Sequence, residues 1–300
     1  MTLTELKYVV AVAEERHFGR AAERCFVSQP SLSAAVKNLE EELGVKLFER
    51  GKRGVLLTEA GERIVAQARR ALEEAERVKL VARQGRDPLK GTLRLGIIHT
   101  VAPYLLPDLV AALRRAAPEM PLDVEENITA TLDRMLRAGE LDAVILALPY
   151  EAPGIETVPL YEETFKVVAP AKHPLGRRRA IAVEELDAGE LLLLPVGHCF
   201  RDQVLDACTE FSRPPEPGRQ GNSLQTLRSM VASGLGITVL PATALTPRYA
   251  NPLVKAIDFT EPRPARRIAL AWRRGFYRAA ALERLAELIR GLELPVTRLQ

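Results

Sequence analysis

The sequence predicts an α/β protein in three parts: a small helical N-terminal unit, one long helix, and two α/β subdomains that fill the rest of the chain. Three observations support that class. Apolar residues recur at helical spacing from Leu6 to the neighbourhood of Asp87, the pattern beyond Lys90 changes to apolar runs alternating with amphipathic stretches, and 300 residues exceed the usual size of one compact domain. No internal repeat or low-complexity tract interrupts the pattern. A hydrophobic share of 47%, a charged share of 27% and a net charge of +3 are ordinary for a globular chain, so charge alone selects no partner. No run approaches the roughly eighteen apolar residues of a membrane span. Met1 to His17 has a short apolar stretch, Val9 to Ala13, followed by Glu14 and Glu15, and reads as an amphipathic helix rather than a targeting segment. Three cysteines are an odd number in a chain of this size, which argues against an extracellular disulfide framework and for a cytoplasmic setting.

In the N-terminal unit, Leu6, Val9, Val10 and Ala13 form a first helical stripe, and Ala21, Ala22 and Cys25 form a second after Phe18-Gly19. Cys25 is expected in that unit's core as a small apolar side chain. A third helix starts sharply. Ser28 is the predicted N-cap, Pro30 sits in the first turn, and Leu32, Ala35, Val36, Leu39 and Leu43 make a buried stripe that ends at Gly44. Its other face presents Gln29, Ser31, Ser33, Ala34 and Lys37. A helix enters the major groove of DNA only if bulk is absent and its first turns offer donors and acceptors to base edges, and this face meets both conditions. After Gly44, Val45 to Leu57 reads as two short apolar strands around a glycine-flanked basic turn. Arg50, Lys52 and Arg53 at its tip suit phosphate contacts, which position a protein on DNA without reading sequence. A basic turn alone is most often a solvated loop; beside the Ser28 helix it reads as a wing. Residues 1–57 are therefore expected to form a winged helix-turn-helix DNA-binding domain.

Thr58 to about Asp87 is one helix-forming segment rich in Ala, Glu and Arg, with Pro88 beyond its end. Ile64, Ala68, Ala71, Ala75, Val78 and Ala82 step by four and three, a heptad seam whose small residues let two helices approach closely. Residues 58–88 are expected to be a linker helix that dimerises; the alternative is a lone helix whose stripe packs on its own domain. Beyond it, strands are expected at Thr92 to His99, Leu122 to Glu125 and Ala143 to Leu148, with helix faces at Leu105 to Leu113 and Leu132 to Leu136. A second similar unit starts at Phe165 to Ala169 and carries Leu191 to Leu194, a cysteine-bearing segment, a helix at Leu224 to Ala232 and a strand at Gly236 to Leu240. Arg267 to Trp272 returns as a strand and Ala279 to Ile289 closes the chain as a helix. The alternation argues for a mainly parallel sheet flanked by helices. Two subdomains, 91–163 with 268–300 and 164–267, joined by strands that cross twice, suggest a clamshell with its ligand chemistry near the C-terminal ends of strands.

Cys199 and Cys208 stand nine residues apart in the run from Gly197. If that run is helical, nine residues advance about 13.5 Å and turn roughly 900°, which puts the two side chains on opposite faces. A disulfide needs Cα atoms about 4.4 to 6.8 Å apart. Any bridge between them therefore requires this segment to melt and rebuild. Phe211 to Ser223, with Pro214, Pro215, Pro217 and Gly218, is a loop able to adapt to such a change.

The runs Phe18-Gly19-Arg20-Ala21-Ala22, Ser28-Gln29-Pro30-Ser31-Leu32-Ser33, Leu47-Phe48-Glu49-Arg50 and Leu57-Thr58-Glu59-Ala60-Gly61 together resemble the winged helix-turn-helix of LysR-type transcriptional regulators. The likeness covers the whole chain. Within that family, Gly197-His198-Cys199, Arg201-Asp202-Gln203 and Cys208 resemble the hydrogen peroxide sensors. The resemblance implies a regulatory domain of periplasmic-binding-protein type at 91–300 and an activator of oxidative-stress genes rather than an enzyme, with no cofactor, metal or membrane partner. It also implies a homotetramer built as a dimer of dimers, promoter DNA and RNA polymerase as partners, hydrogen peroxide as the signal, and a glutaredoxin or thioredoxin as the reductant.

Carried over residue by residue, the resemblance makes Cys199 the peroxide-reactive cysteine and Cys208 the resolving one, joined in a disulfide by way of a sulfenic acid. A free cysteine is mostly protonated near neutral pH, so such a thiol needs positive charge or donors beside it. His198, Arg201 and Arg266 are the candidates. Thr100 and Thr129 match positions whose hydroxyls line a peroxide pocket; a hydroxyl both donates and accepts, which suits a small uncharged peroxide. Without the family, the two threonines read as strand-end caps and His198 as a satisfied or surface histidine. Ser31 stands where many relatives carry threonine and keeps the hydroxyl. Two other readings stay open: a LysR-type regulator gated by a small organic effector in the interdomain cleft, and a thiol peroxidase with an accessory DNA-binding domain. Against the peroxidase, the chain has no recycling Cys-x-x-Cys and devotes one domain to nucleic acid.

Overall fold

The computed structural model describes residues 1–51, 54–82, 88–186, 188–207 and 219–299, with the backbone alone at 50, 76, 77, 79–82 and 188. Contacts divide the chain into two compact units, Met1–Asp87 and Pro88–Gln300.

The first unit holds α1 (Leu3–Glu15), α2 (Phe18–Arg24), α3 (Gln29–Leu43), β1 (Phe48–Gly51), β2 (Gly54–Leu57) and α4 (Glu59–Ala82). A capping box starts α1: the Thr2 hydroxyl accepts from the Glu5 N–H while the Glu5 carboxylate accepts from the Thr2 N–H. Ser28 caps α3 as expected, accepting from the Ser31 N–H at 3.3 Å, and Gly44 closes it at φ +69°. Leu6, Val9, Val12, Leu32, Val36, Leu39 and Leu47 fill the core, with Cys25 packed at its margin. Two expectations fail here. Leu43 is 37% exposed, because Glu40 takes the inward position of the last turn. The first wing strand also starts at Phe48 rather than Val45, which stays exposed in the connection.

Glu40 accepts from the Leu47 N–H at 2.8 Å, from the Phe48 N–H at 3.3 Å and from the Lys46 ammonium at 2.7 Å. Burial opposes ionisation of this carboxyl, but the lysine and the two backbone donors outweigh it and hold the group below the usual carboxylate range.

Thr58 starts α4: its hydroxyl accepts from the Gly61 N–H at 2.8 Å and donates to the Lys46 carbonyl at 2.7 Å. Only glycine fits at 61, where a Cβ would lie 2.1 Å from the Leu47 carbonyl oxygen. The predicted heptad seam divides along α4. Ala68 is buried in the unit's own core and Ile64 and Ala71 pack against it, because α1 lies along the first half of α4. Ala75 is half-buried and Val78 is 69% exposed, so only this later part of the seam is open to a partner; the Ala82 side chain is outside the description.

The second unit runs β3 (Leu93–Ile98), α5 (Ala102–Ala116), β4 (Leu122–Asn127), α6 (Thr129–Arg137), β5 (Ala143–Ala147), β6 (Ile155–Pro170), β7 (Ala180–Ile181) and β8 (Leu191–Leu192). It continues through α7 (Cys199–Ala207), α8 (Leu224–Ala232), β9 (Ile237–Pro241), β10 (Val254–Phe259), β11 (Ala265–Arg273), α9 (Ala279–Arg290) and β12 (Thr297–Arg298). The sheet order is β4-β3-β5-β11-β6-β10-β7, with β9 and β12 also on β6 and β8 on β9. Phe165 to Ala169, expected as a separate strand, is the far end of the 16-residue β6. Residues 155–164 of β6 pair with β11, and residues 165–170 pair with β9 and β10, so one strand serves both subdomains.

The expectation of a mainly parallel sheet holds for β4, β3 and β5 and fails at the crossing. The chain leaves the first subdomain along β6 and returns along β11, and strands traversed in opposite senses pair antiparallel. Two cores result. Leu95, Ile97, Leu109, Ile145, Leu270 and Leu285 belong to one, and Phe165, Val167, Phe200, Leu227 and Val239 to the other. On α5, Leu105, Leu109 and Leu113 are buried as their spacing predicts, whereas Val110 is 39% exposed. No helix among the described residues is long and apolar enough to cross a membrane.

Candidate functional site

The C-terminal end of β3 meets the starts of α6 and α7. His99 and Thr100 follow β3, Asn127, Ile128 and Thr129 lead into α6, and His198 and Cys199 open α7. With Ile98 these residues line one pocket of about 10 Å³, space on the scale of a single water molecule. Cys199, Thr100, Thr129 and His198, expected together from the sequence, are thus brought together by three separate chain segments.

Gly197 turns the chain into α7 at φ +101°, a conformation open to glycine. From its first residue the helix faces two ways: Cys199 is half-buried against the core of the first subdomain, while Phe200 and Val204 are buried in the core of the second. Phe200 meets Phe165 edge-on at 5.1 Å and lies under the Arg266 guanidinium at 4.7 Å. Arg201 is buried and donates to the Leu194 carbonyl at 3.1 Å, and the Gln203 amide donates to the Leu148 carbonyl at 3.2 Å. Cys199 is a free thiol. Cys208 lies outside the described residues, as do positions 211–218 of the proline-rich loop.

The charges around the thiol are disposed differently from the expectation. Arg266 is fully shielded from water and paired with the equally shielded Glu163 at 2.7 Å, and Glu163 also accepts from the Thr243 hydroxyl at 2.5 Å. The guanidinium then donates to the Thr100 hydroxyl at 2.8 Å and to the Thr100 carbonyl at 3.1 Å. Arg266 therefore fixes Thr100 and has a counter-ion of its own. Burial pushes the His198 imidazole below its usual range, with His99 adding to the effect, so at neutral pH it is a hydrogen-bonding ring and not a cation.

Two residues of this site escaped the sequence reading. His99 stands with its ring centroid 5.4 Å from that of His198, and its Nδ1 is buried without a hydrogen-bond partner among the described residues, as is the Thr129 hydroxyl. Its position just past a strand's C-terminal end was a usable signal. Glu163 shares parity along β6 with the buried Tyr161, Phe165 and Val167, which points it inward once β6 is known to start at Ile155. No cluster of His, Cys, Asp or Glu among the described residues is arranged to hold a metal ion. A separate open groove of about 740 Å³ lies where Gln203 and Asp206 of α7 meet Leu148, Tyr150, Arg266 and Arg267.

In the first unit, Gln29, Pro30, Ser31 and Lys37 are exposed on one side of α3 and Ser33 is half-buried. The Ser31 hydroxyl pairs with that of Ser28 at 2.8 Å, and Lys37 faces Glu41 at 3.4 Å. The strand pairing sets Arg50 opposite Val55; its side chain, and the whole of Lys52 and Arg53, lie outside the described residues.

A family model described as "Bacterial regulatory helix-turn-helix protein, lysR family" matches residues 3–62, and one described as "LysR substrate binding domain" matches residues 86–292. The chain belongs to the LysR family. Among LysR-family relatives it is 41% identical over 290 residues to the "DNA-binding transcriptional dual regulator OxyR" of Escherichia coli K12, covering 97% of this chain and 95% of that one. It is 44% identical to the "Probable hydrogen peroxide-inducible genes activator" of Streptomyces viridosporus, over 98% of this chain and 96% of that one. Among solved LysR-family structures, a full-length OxyR mutant from Pseudomonas aeruginosa superposes with a TM-score of 0.85 at 49% identity, covering 100% and 99% of the two chains. An H2O2-bound OxyR mutant from Corynebacterium glutamicum superposes with a TM-score of 0.65 at 36% identity, covering 96% and 91%.

Proposed function

We propose that this LysR-family chain is a hydrogen peroxide-sensing transcriptional regulator whose reactive group is Cys199. The convergence of Cys199, Thr100, Thr129 and His198 on a pocket of about 10 Å³ carries the reading, since organic ligands of ordinary size occupy about 300 to 1,000 Å³. The peroxide-inducible relatives and the H2O2-bound neighbour support it.

The Cys199 thiolate attacks one peroxide oxygen, the O–O bond breaks, and the departing oxygen leaves as water after taking a proton. The sulfenic acid so formed condenses with the Cys208 thiol, releasing a second water and closing a disulfide. The two cysteines are nine positions apart and α7 runs from Cys199 to Ala207, so closure requires α7 to unwind. Residues 1–57 bind promoter DNA, with Gln29, Pro30, Ser31, Ser33 and Lys37 at the groove and Arg50, Lys52 and Arg53 on phosphates. Residues 58–88 dimerise through Ala75, Val78 and Ala82, and residues 91–300 sense the oxidant. Dimers pair into a tetramer that engages RNA polymerase, and a glutaredoxin or thioredoxin restores the thiols.

Thiol counting by mass spectrometry tests this. Micromolar peroxide converts two thiols per chain to one disulfide and leaves Cys25 free, and Cys199→Ser abolishes both that change and the response of a reporter promoter. A Cys199→Ser chain with a normal peroxide response would sink the reading. The second reading, an organic effector, is favoured by the open groove of about 740 Å³; a reporter response to small organic acids that survives Cys199→Ser would support it.

A further inference from the structure

We infer that His99 is the acid–base group of the thiol site, taking the proton of Cys199 through Nδ1 and delivering it to the departing peroxide oxygen. The inference rests on the reading of Cys199 as the peroxide-reactive thiol. Three observations lead to it. His99 lines the same pocket of about 10 Å³ as Cys199, space on the scale of one small molecule. Its Nδ1 is buried with no partner among the described residues, and so is the hydroxyl of Thr129 on the same pocket. An unpaired buried polar atom is costly to the fold, and a molecule with two O–H groups and four lone pairs satisfies both at once.

The arginines and hydroxyls of the site are less suited to carrying a proton. Arg266 donates to Glu163 and to both oxygens of Thr100, and arginine does not deprotonate in proteins. Arg201 is directed to the Leu194 carbonyl. Hydroxyls relay hydrogen bonds but are poor bases near neutral pH, whereas imidazole exchanges protons there. The titratable and charged groups around His99 are His198 and Cys199 at the start of α7, Glu125 on β4 through its bond from the Asn127 amide, and the Arg266–Glu163 pair behind Thr100.

The step balances without a further reactant. Nδ1, in the form that carries no proton, receives the thiol proton by way of the bound peroxide: the far peroxide oxygen takes up the hydrogen of the Cys199 thiol as its own hydrogen passes to Nδ1, and the thiolate attacks the nearer peroxide oxygen. An S–O bond forms as the O–O bond breaks; sulfur is oxidised and peroxide reduced. The departing oxygen takes the proton from Nδ1 and leaves as water, the sulfenic acid keeps the hydrogen of the attacked oxygen, and His99 ends as it began.

The test uses the full-length reduced chain, hydrogen peroxide, an alkylating quench and mass-spectrometric counting of unreacted Cys199 across pH. His99→Asn keeps a hydrogen-bonding group near Nδ1 but cannot carry a proton. We expect it to slow Cys199 oxidation about 100-fold near neutral pH and to change the shape of the rate's pH profile, because the side chain at this position no longer exchanges a proton. The gap should narrow in alkaline solution, where hydroxide takes over removal of the thiol proton. His99→Gln gives the same result and serves as the second variant if Asn disturbs folding. An unchanged rate, or a slower rate with an unchanged pH profile, overturns the role of His99 while leaving the sensor reading intact. A wild-type Cys199 no more reactive toward peroxide than Cys25 overturns the sensor reading itself, and this inference with it.

Discussion

Glu163 and Arg266 are both withdrawn from water, and each is satisfied only by the other and by two threonines. Removing one member of such a pair leaves a buried charge without a counter-ion, which costs about 3 to 5 kcal/mol. Glu163→Ala should therefore destabilise the second unit by that amount in urea unfolding, whereas Thr243→Val, which removes one hydrogen bond, should cost about 1 kcal/mol. Equal effects from the two variants would show that Arg266 does not depend on Glu163 as its counter-ion. At this scale the sequence was readable where a motif marked the residue, as for Cys199 and His198. It was silent where a residue's role depends on a partner about a hundred positions away: Arg266 was legible as a charge, but the Glu163 that pairs it is known only once β6 and β11 lie side by side. His99 was missed because a histidine ending an apolar run looks like punctuation until the other two segments arrive.

The link between α3 and β1 shows the same contrast among elements. The bounds of α3 were legible because Ser28 and Gly44 act locally, through a cap and a left-handed residue. The start of β1 was not, because it depends on Glu40 reaching past Gly44 to the N–H groups of Leu47 and Phe48. Since the folded state depresses this carboxyl, the stability it contributes is present above the unfolded value near 4.5 and is lost as pH falls through the folded value. Glu40→Ala should destabilise the first unit by about 1 to 3 kcal/mol near neutral pH, and the difference from wild type should shrink in strong acid. Thermal unfolding at the two pH values checks this, and a difference that grew on acidification would reverse the assignment. The heptad seam of α4 was half legible for a related reason. Spacing marks an apolar stripe but does not say what covers it, and α1 claims Ile64, Ala68 and Ala71 before any partner helix can.

For the whole molecule, alternation of apolar runs and helices identified two α/β subdomains, but periodicity shows only which face of a strand is buried and not the direction of its neighbour. The antiparallel crossing of β6 and β11 was therefore out of reach. Assembly is open to a direct test: Val78→Glu sets a charge in the proposed dimer seam and should weaken dimerisation at least about tenfold, or about 1.4 kcal/mol, in sedimentation equilibrium. Because Val78 is 69% exposed, unfolding of the single chain should not change. The straddling position of α7 has a consequence for electrochemistry. Phe200 and Val204 hold the reduced helix in one core while Cys199 rests on the other, so whatever packing is released when the helix unwinds counts against the disulfide. Burying a large apolar side chain is worth about 1.5 to 3 kcal/mol, and each 1.4 kcal/mol that favours the dithiol raises the midpoint potential of the couple by about 30 mV. On the proposed chemistry, the oxidising power at which the regulator trips is set less by its two sulfurs than by how well a phenylalanine and a valine fit beneath a sheet.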